Sequence, residues 1–255
     1  MKLILIGIII FLASFLFAML GLGGGMVYVP VLNWAGYDLV SVALPLGLLL
    51  NGLNTLLALI QFNKKKLVDW KGGIFMAVSA LIASPIGAIT SKYVNQSNLK
   101  LIFAVAVLFA AIRMLRQANK KEPEQKAGLK KRIVIGIIVG LSVGFLGGLL
   151  GIGGGFVFAP VLMALGYKTK EAAATTAFIV TFSSFSGYLG HVAEGDMNWP
   201  LTIVLVIAVI IGSQLGARFM SQKANPKMVK KIYAVVLIVI AIKFSWQPVI
   251  NILNQ

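Results

Sequence analysis

Two glycine-rich segments of nearly identical sequence carry the chemistry that this chain suggests. Gly21–Leu32 reads GLGGGMVYVPVL, and 130 positions later Gly151–Leu162 reads GIGGGFVFAPVL. A helix that begins directly after such a run, near Met26 and near Phe156, has unpaired amides in its first turn and a partial positive charge there. Because glycine has no side chain, an anion can approach these amides closely. The two segments therefore predict an anion-binding site built from backbone.

Polar side chains within the apolar segments could complete this site without adding a charge. Asn51 and Asn54 share one face of a predicted helix, and the positions 130 residues later are Thr181 and Ser184. Neutral hydroxyl and amide groups can bind an oxyanion and release it again. Hydrogen bonding between helices explains each of these residues equally well. The candidate substrate-binding residues are Gly23, Gly24, Gly25, Met26, Tyr28, Asn51, Asn54, Gly153, Gly154, Gly155, Phe156, Thr175, Thr176, Thr181 and Ser184.

Residues suited to catalysis are scarce. His191 is the only histidine and is expected at the membrane interface, where a role in proton coupling competes with an ordinary polar role. The acidic residues fall in or beside predicted loops, and the chain has no cysteine. An enzyme would need a nucleophile and a base, or a metal cluster, within the spans. We therefore expect no catalytic residue, no metal and no cofactor.

Composition places these residues in a lipid bilayer. Of the 255 residues, 59% are hydrophobic and 12% are charged, and the mean hydropathy is +0.94. Soluble domains carry about 25% charged residues. The net charge of +16 is distributed in short runs between apolar segments, which is typical of cytoplasmic loops and argues against a nucleic-acid partner. The expected partners are the bilayer and a small anion, and a homo-oligomer is left open.

Two apolar segments, 26–35 and 156–166, are too short to span a bilayer, because a spanning helix needs about 17–25 residues. Each follows a glycine run, so each is predicted to form a re-entrant or short helical hairpin with the segment before it. If each half adds three full transmembrane helices, 19 of the 23 Lys and Arg residues lie on one side and 4 on the other. If each broken segment crosses once, the division is 14 against 9. The positive-inside rule favours the first arrangement.

The predicted fold class is an all-α polytopic membrane protein with two inverted repeats. Loop 63–72 carries four lysines, whereas its repeat equivalent 192–199 carries two acids and no base. Opposite sides of the membrane would produce this difference. We predict a first transmembrane repeat at 1–116, a cytoplasmic linker at 117–132 and a second repeat at 133–255. The protein is expected in the cell membrane with both termini outside.

The doubled Gly-x-Gly-Gly-Gly motif, followed by a short apolar run and a proline, resembles the TauE/SafE sulfite exporter family. After the second motif, Ala172-Ala173-Ala174-Thr175-Thr176 matches the small-residue and threonine stretch of that family, whereas the first half carries Pro45 where threonine is expected. The resemblance covers nearly the whole chain. It implies transport of sulfite, organosulfonates or related sulfur-containing anions.

The combined prediction is a secondary transporter of small anions that works by alternating access around a midplane site. A passive anion channel is the alternative, and an intramembrane enzyme is the third hypothesis.

Valine in place of Gly24 or Gly154 is expected to abolish anion binding while leaving the protein folded. The four-residue spacing of the glycines within 136–144 and 212–216 instead indicates close packing of helices.

Overall fold

The computed structural model describes residues 2–118, 122–123, 125–191, 198–222 and 226–253, and the regular elements in them are helical. Glu194, Asp196 and part of the predicted linker lie outside the described residues. A π-helical turn, Leu39–Ala43, leads directly into α3. The α-helices are α1 Lys2–Ala18, α2 Gly25–Trp34, α3 Leu44–Lys64, α4 Trp70–Ser91, α5 Gln96–Ala118, α6 Leu129–Leu149, α7 Gly155–Ala164, α8 Thr169–His191, α9 Trp199–Gln222 and α10 Pro226–Leu253.

Six helices in the described part of the chain are long and apolar enough to cross a bilayer. They are α3 with its π-helical turn, α4, α5, α6, α8 and α9. Each of these apolar stretches has 18 or more residues, which at 1.5 Å per residue approaches or exceeds the roughly 30 Å hydrocarbon core. The prediction of an α-helical, multi-pass membrane protein is confirmed.

The helices α2 and α7 are much shorter. Each has ten residues, about 15 Å, or half of the hydrocarbon core. They begin at Gly25 and Gly155, one residue before the predicted starts. Gly153 and Gly154 have φ angles of 66° and 83°, a region open mainly to glycine. The chain therefore turns sharply between α6 and α7.

The chain that follows each short helix lies beside the start of the long helix before it. After α2, the centre of the Tyr37 ring lies 5.9 Å from Lys2 Nζ. After α7, Arg132 donates a hydrogen bond to the Tyr167 hydroxyl at 2.9 Å. Tyr37 and Tyr167 are 130 positions apart, as are Lys2 and Arg132. The same corner therefore occurs in both halves.

Helices of one half pack on helices of the other half. The most extensive of these contacts joins α4 to α6; α4 also packs on α8, α5 on α10 and α1 on α9. A β-carbon on Gly144 would lie 2.6 Å from Ala80 Cα, and one on Gly212 would lie 2.6 Å from the Phe11 carbonyl oxygen. These distances are shorter than any real side chain allows, so glycine is needed for the approach. Helix packing was predicted for both glycine sets, and it is confirmed.

The helices α3 and α8 pack against each other at the centre of the molecule. They carry Asn51, Asn54, Thr181 and Ser184, each at most 4% exposed. The helices α5 and α10 form a separate pair, in which α5 also contacts α7 and α10 also contacts α2. The predicted polar face therefore lies in the protein interior, next to the short helices.

Candidate functional site

The side chain of Asn51, on α3, connects the two glycine segments. Its Oδ1 accepts a hydrogen bond from the Gly25 amide at 2.8 Å. Its Nδ2 donates to Ser184 Oγ at 2.8 Å and to the Ile152 carbonyl oxygen at 3.3 Å. Gly25 opens α2 in the first half, whereas Ile152 and Ser184 belong to the second half. One fully buried carboxamide thus joins the first amide of α2 to the second glycine segment.

The two glycine segments also touch each other directly. A β-carbon on Gly25 would lie 2.8 Å from Ile152 Cα, and one on Gly155 would overlap the Leu22 carbonyl oxygen. Any larger residue at these positions would push the two backbones apart. We use the name glycine junction for residues 21–25, residues 151–155, Asn51 and Ser184.

A chain of hydrogen bonds runs from α3 to α1 beside the glycine junction. Asn54 Nδ2 donates to the Tyr28 hydroxyl at 2.9 Å, and this hydroxyl lies 2.6 Å from Ser14 Oγ. Because Ser14 Oγ donates to the Ile10 carbonyl oxygen at 2.6 Å, the Tyr28 hydroxyl donates to Ser14. Asn54 Oδ1 is buried without a hydrogen-bond partner, which costs about 1–3 kcal/mol. This oxygen is available to a water molecule or to a ligand.

Two further contacts attach α8 to the same region. Ser183 Oγ donates to the Gly153 carbonyl oxygen at 2.6 Å. Thr181 Oγ1 lies 3.1 Å from Thr55 Oγ1 on α3. Asn51, Asn54, Thr181 and Ser184 thus lie together with the glycine runs. Met26 and Phe156 are buried in the first turns of α2 and α7.

Comparison with known proteins supports the resemblance seen in the doubled motif. The family model of the sulfite exporter TauE/SafE matches residues 6–244, nearly the whole chain. The protein belongs to the TauE/SafE family. It is 30% identical to the probable membrane transporter protein YunE of Bacillus subtilis, over 92% of this chain and 94% of the relative. A probable membrane transporter protein of Haemophilus influenzae is 26% identical over 88% of both chains. The probable membrane transporter protein YfcA of Escherichia coli is 24% identical over 95% of this chain and 90% of the relative.

Three candidate residues of this TauE/SafE protein lie away from the glycine junction. Thr175 Oγ1 accepts a hydrogen bond from the Asp69 amide at 3.1 Å, and it precedes Ser184 by about 13 Å along α8. Thr176, the next residue, is fully buried, and its hydroxyl has no hydrogen-bond partner. His191 ends α8 and is only 3% exposed, with Nε2 unpaired. His191 therefore lies at the end of its helix, as the sequence predicted, and neighbouring protein covers it.

The structure argues against the expectation that valine at Gly24 or Gly154 leaves the fold intact. A β-carbon on Gly24 would overlap the Tyr28 ring. A β-carbon on Gly154 would lie 2.8 Å from Val143 Cγ1, at a φ of 83° that strains any L side chain. Both substitutions would disturb packing, so loss of binding in these variants would not by itself identify a substrate site.

A charged cluster at one end of this TauE/SafE protein was not predicted. Arg132 donates to Asp69 Oδ2 at 2.6 Å, and Tyr167 donates to the same oxygen at 3.0 Å. Lys126 Nζ lies 3.7 Å from Asp69 and 3.2 Å from Glu171. The cluster joins the start of α4 to the start of α6 and to the corner after α7. The sequence did predict that loops 63–72 and 117–132 share one side of the membrane, and this could have indicated contact between their charged residues.

Electrostatics keep Asp69 ionised within this cluster. Partial burial works against ionisation, but the hydrogen bonds from the Gly72 amide and the Tyr167 hydroxyl and the charges of Lys126 and Arg132 together outweigh it. The pKa of Asp69 is therefore below its ordinary value, whereas burial raises the pKa of Tyr167 to about 12. Within the described part of the chain, no group of three or more His, Cys, Asp or Glu side chains is placed to hold a metal ion.

Proposed function

We propose that this TauE/SafE protein is a secondary transporter of a small anion across the cell membrane. The substrate class that we propose is sulfite, an organosulfonate or a related sulfur oxyanion. The glycine junction carries the proposal, because there the first amide of α2, the Asn51 carboxamide and the Ser184 hydroxyl meet between the two halves.

The Asn51 carboxamide oxygen occupies the position that an oxyanion oxygen would take. Both are hydrogen-bond acceptors, and the positive end of a helix favours the one that carries a negative charge. When the Asn51 side chain rotates so that its oxygen leaves this position, the Gly25 amide and the Ser184 hydroxyl become donors for the anion, and Asn51 Nδ2 adds a third. Each of these groups is neutral, so the anion also leaves again.

We propose alternating access between the two halves as the mechanism. In this proposal, α1 with α2 and α6 with α7 are re-entrant hairpins, and the halves form inverted repeats. The position of Tyr37 beside Lys2 and of Tyr167 beside Arg132 supports the hairpins. The reciprocal packing of α1 on α9 and of α6 on α4 supports a two-fold relation between the halves. A rocking motion of one half against the other would open the glycine junction to one side of the membrane at a time.

We also propose that the linker 117–132 is cytoplasmic and that both termini are outside. At one end of the molecule, the bond between Asp69 and Arg132 joins two lysine-rich regions. At the other end, Gln96 donates to Asp38 at 3.0 Å in a region with few basic residues. The positive-inside rule assigns the first end to the cytoplasm.

The test is flux into liposomes that contain the purified protein. Sulfite, sulfate, thiosulfate, a small sulfonate and chloride are compared, each with and without a proton gradient. Saturable uptake of one sulfur oxyanion, accelerated by the same anion on the opposite side, is the expected result. A non-saturating conductance would replace the carrier with the channel. No flux of any tested anion above that of empty liposomes would contradict the substrate class.

The same assay tests His191 as a coupling residue. If His191 carries the coupling proton, His191→Gln abolishes the acceleration by a proton gradient but preserves exchange of the anion at equal pH. An unchanged response to the gradient would remove His191 from the coupling proposal.

A further inference from the structure

A groove between α1, α2 and α10 lies apart from the glycine junction. Its volume is about 610 Å³. Apolar side chains at helical spacing form its walls, among them Leu5 and Ile9 on α1, Val31 on α2 and Val239 on α10. Leu5 and Val239 are each 59% exposed, so the groove is open along a surface that faces lipid. In a bilayer, such a surface is covered by acyl chains.

One end of the groove carries positive charge and an aromatic ring. Lys2 on α1 and Lys243 on α10 both line it, together with Trp34 at the end of α2. Lys243 Nζ lies 4.3 Å from the centre of the Trp34 ring. Within the described residues, neither lysine forms an ion pair with a carboxylate. Lysine and tryptophan at the end of an apolar groove are typical of the level of lipid head groups.

The two halves differ in the residue that corresponds to the partner of the basic side chain at this corner. The repeat equivalent of Lys2, Arg132, is neutralised by Asp69 at 2.6 Å. Asp69 caps α4 through the Gly72 amide, and the corresponding cap of α9, 129 positions later, is Asn198. The residue that caps α4 and neutralises Arg132 is thus a carboxylate, whereas its equivalent at the start of α9 is a neutral amide.

We propose that this groove binds an anionic phospholipid. Its acyl chain lies between α1, α2 and α10, and its phosphate lies between Lys2 and Lys243 and takes the role that Asp69 has in the other half. A zwitterionic lipid fits the apolar walls equally well but adds no net negative charge. The binding site is independent of the anion that the protein transports.

The test uses the fluorescence of Trp34 and its quenching by brominated acyl chains. A variant with Trp70, Trp199 and Trp246 replaced by phenylalanine keeps Trp34 alone. It is placed in vesicles that contain either brominated phosphatidylglycerol or brominated phosphatidylcholine at the same mole fraction. A basic residue near an anionic surface contributes roughly 1 kcal/mol, or about fivefold in affinity. We therefore expect the anionic lipid to occupy the site with at least a fivefold preference.

Two comparisons make the result decisive. In the variant that keeps only Trp34, Lys243→Gln should reduce the preference for the anionic lipid about fivefold. The maximal quenching of Trp34 by either lipid should stay nearly the same. A matched variant that keeps only Trp199, which is 63% exposed at the start of α9, should show no preference between the lipids. Equal quenching of Trp34 by both lipids, or the same preference at Trp199, would overturn the proposal. Relief of the quenching preference by inorganic phosphate would show that a free anion, and not a lipid, occupies the lysines.

Discussion

Replacement of Asn51 by leucine tests the glycine junction most directly. Leucine has the same branching at Cγ and the same number of side-chain heavy atoms, so the variant removes hydrogen bonds without opening a cavity. The Gly25 amide and the Ser184 hydroxyl each lose a partner at 2.8 Å, and the Ile152 carbonyl oxygen loses one at 3.3 Å. A buried polar group without a partner costs about 1–3 kcal/mol. We therefore expect a loss of about 2–5 kcal/mol in stability, which lowers the melting temperature by roughly 5–15 °C.

The functional consequence separates this variant from an ordinary destabilised one. Asn51→Leu should abolish saturable uptake of the sulfur oxyanion in liposomes, even at temperatures where the variant remains folded. Ser183→Ala is the matched control, because the Ser183 hydroxyl donates to the Gly153 carbonyl oxygen within its own half. It should lower stability by about 1 kcal/mol and preserve uptake. Uptake by Asn51→Leu with the affinity of the unmodified protein would refute the assignment of Asn51 to the substrate site.

Three further predictions concern topology, pH and packing. Cysteines introduced singly at Lys65 and at Gly195, which lies outside the described residues, should react with an impermeant maleimide from opposite sides of the membrane; reaction from the same side would contradict the inverted repeats. Because the pKa of Asp69 is lowered in the folded protein, ionised Asp69 contributes fully to folding stability at pH values above its unfolded pKa of about 3.9. This contribution is lost as the pH falls through the lower pKa of the folded state. Asp69→Asn should therefore lower stability by about 1–3 kcal/mol near neutral pH, and its melting temperature should fall less steeply between neutral and acid pH than that of the unmodified protein. If the variant's melting temperature fell equally steeply, other groups would be responsible for the acid sensitivity. Gly144→Ala should cost about 1–3 kcal/mol through overpacking against Ala80, whereas Gly136→Ala, whose β-carbon would lie an ordinary 3.5 Å from the nearest atom, should be tolerated in the same thermal assay.

The sequence predicted the elements of this structure better than their contacts. The starts of α2 and α7 followed from glycine runs, because glycine acts locally on the backbone. The shared face of Asn51 and Asn54 followed from helical spacing. The hydrogen bond from the Gly25 amide to Asn51 was not predicted. It depends on the position of α3 along the axis of α2, which no local sequence pattern determines. The burial of His191 was missed for a similar reason, since α6 and α4, which cover it, are distant in sequence.

Prediction of the polar residues on α8 was limited in the same way. Thr175, Thr176, Thr181 and Ser184 all belong to one apolar segment, and composition alone treats them alike. The structure separates them by depth: Ser184 meets Asn51, whereas Thr175 meets the Asp69 amide near one end of the molecule. Depth within a helix bundle is set by neighbouring helices, so a single helix does not reveal which of its hydroxyls share a site.

The packing of α1 on α9 and of α6 on α4 has a consequence for biogenesis. A chain made from its N-terminus presents the α9-binding face of α1 and the α6-binding face of α4 to lipid before the second half exists. The first half is therefore inserted before its packing partners, and its contacts with α6 and α9 form only after these helices are inserted. By the same reasoning, a first half made alone would leave these packing surfaces exposed to lipid unless the second half, or another copy of the first, lay beside it.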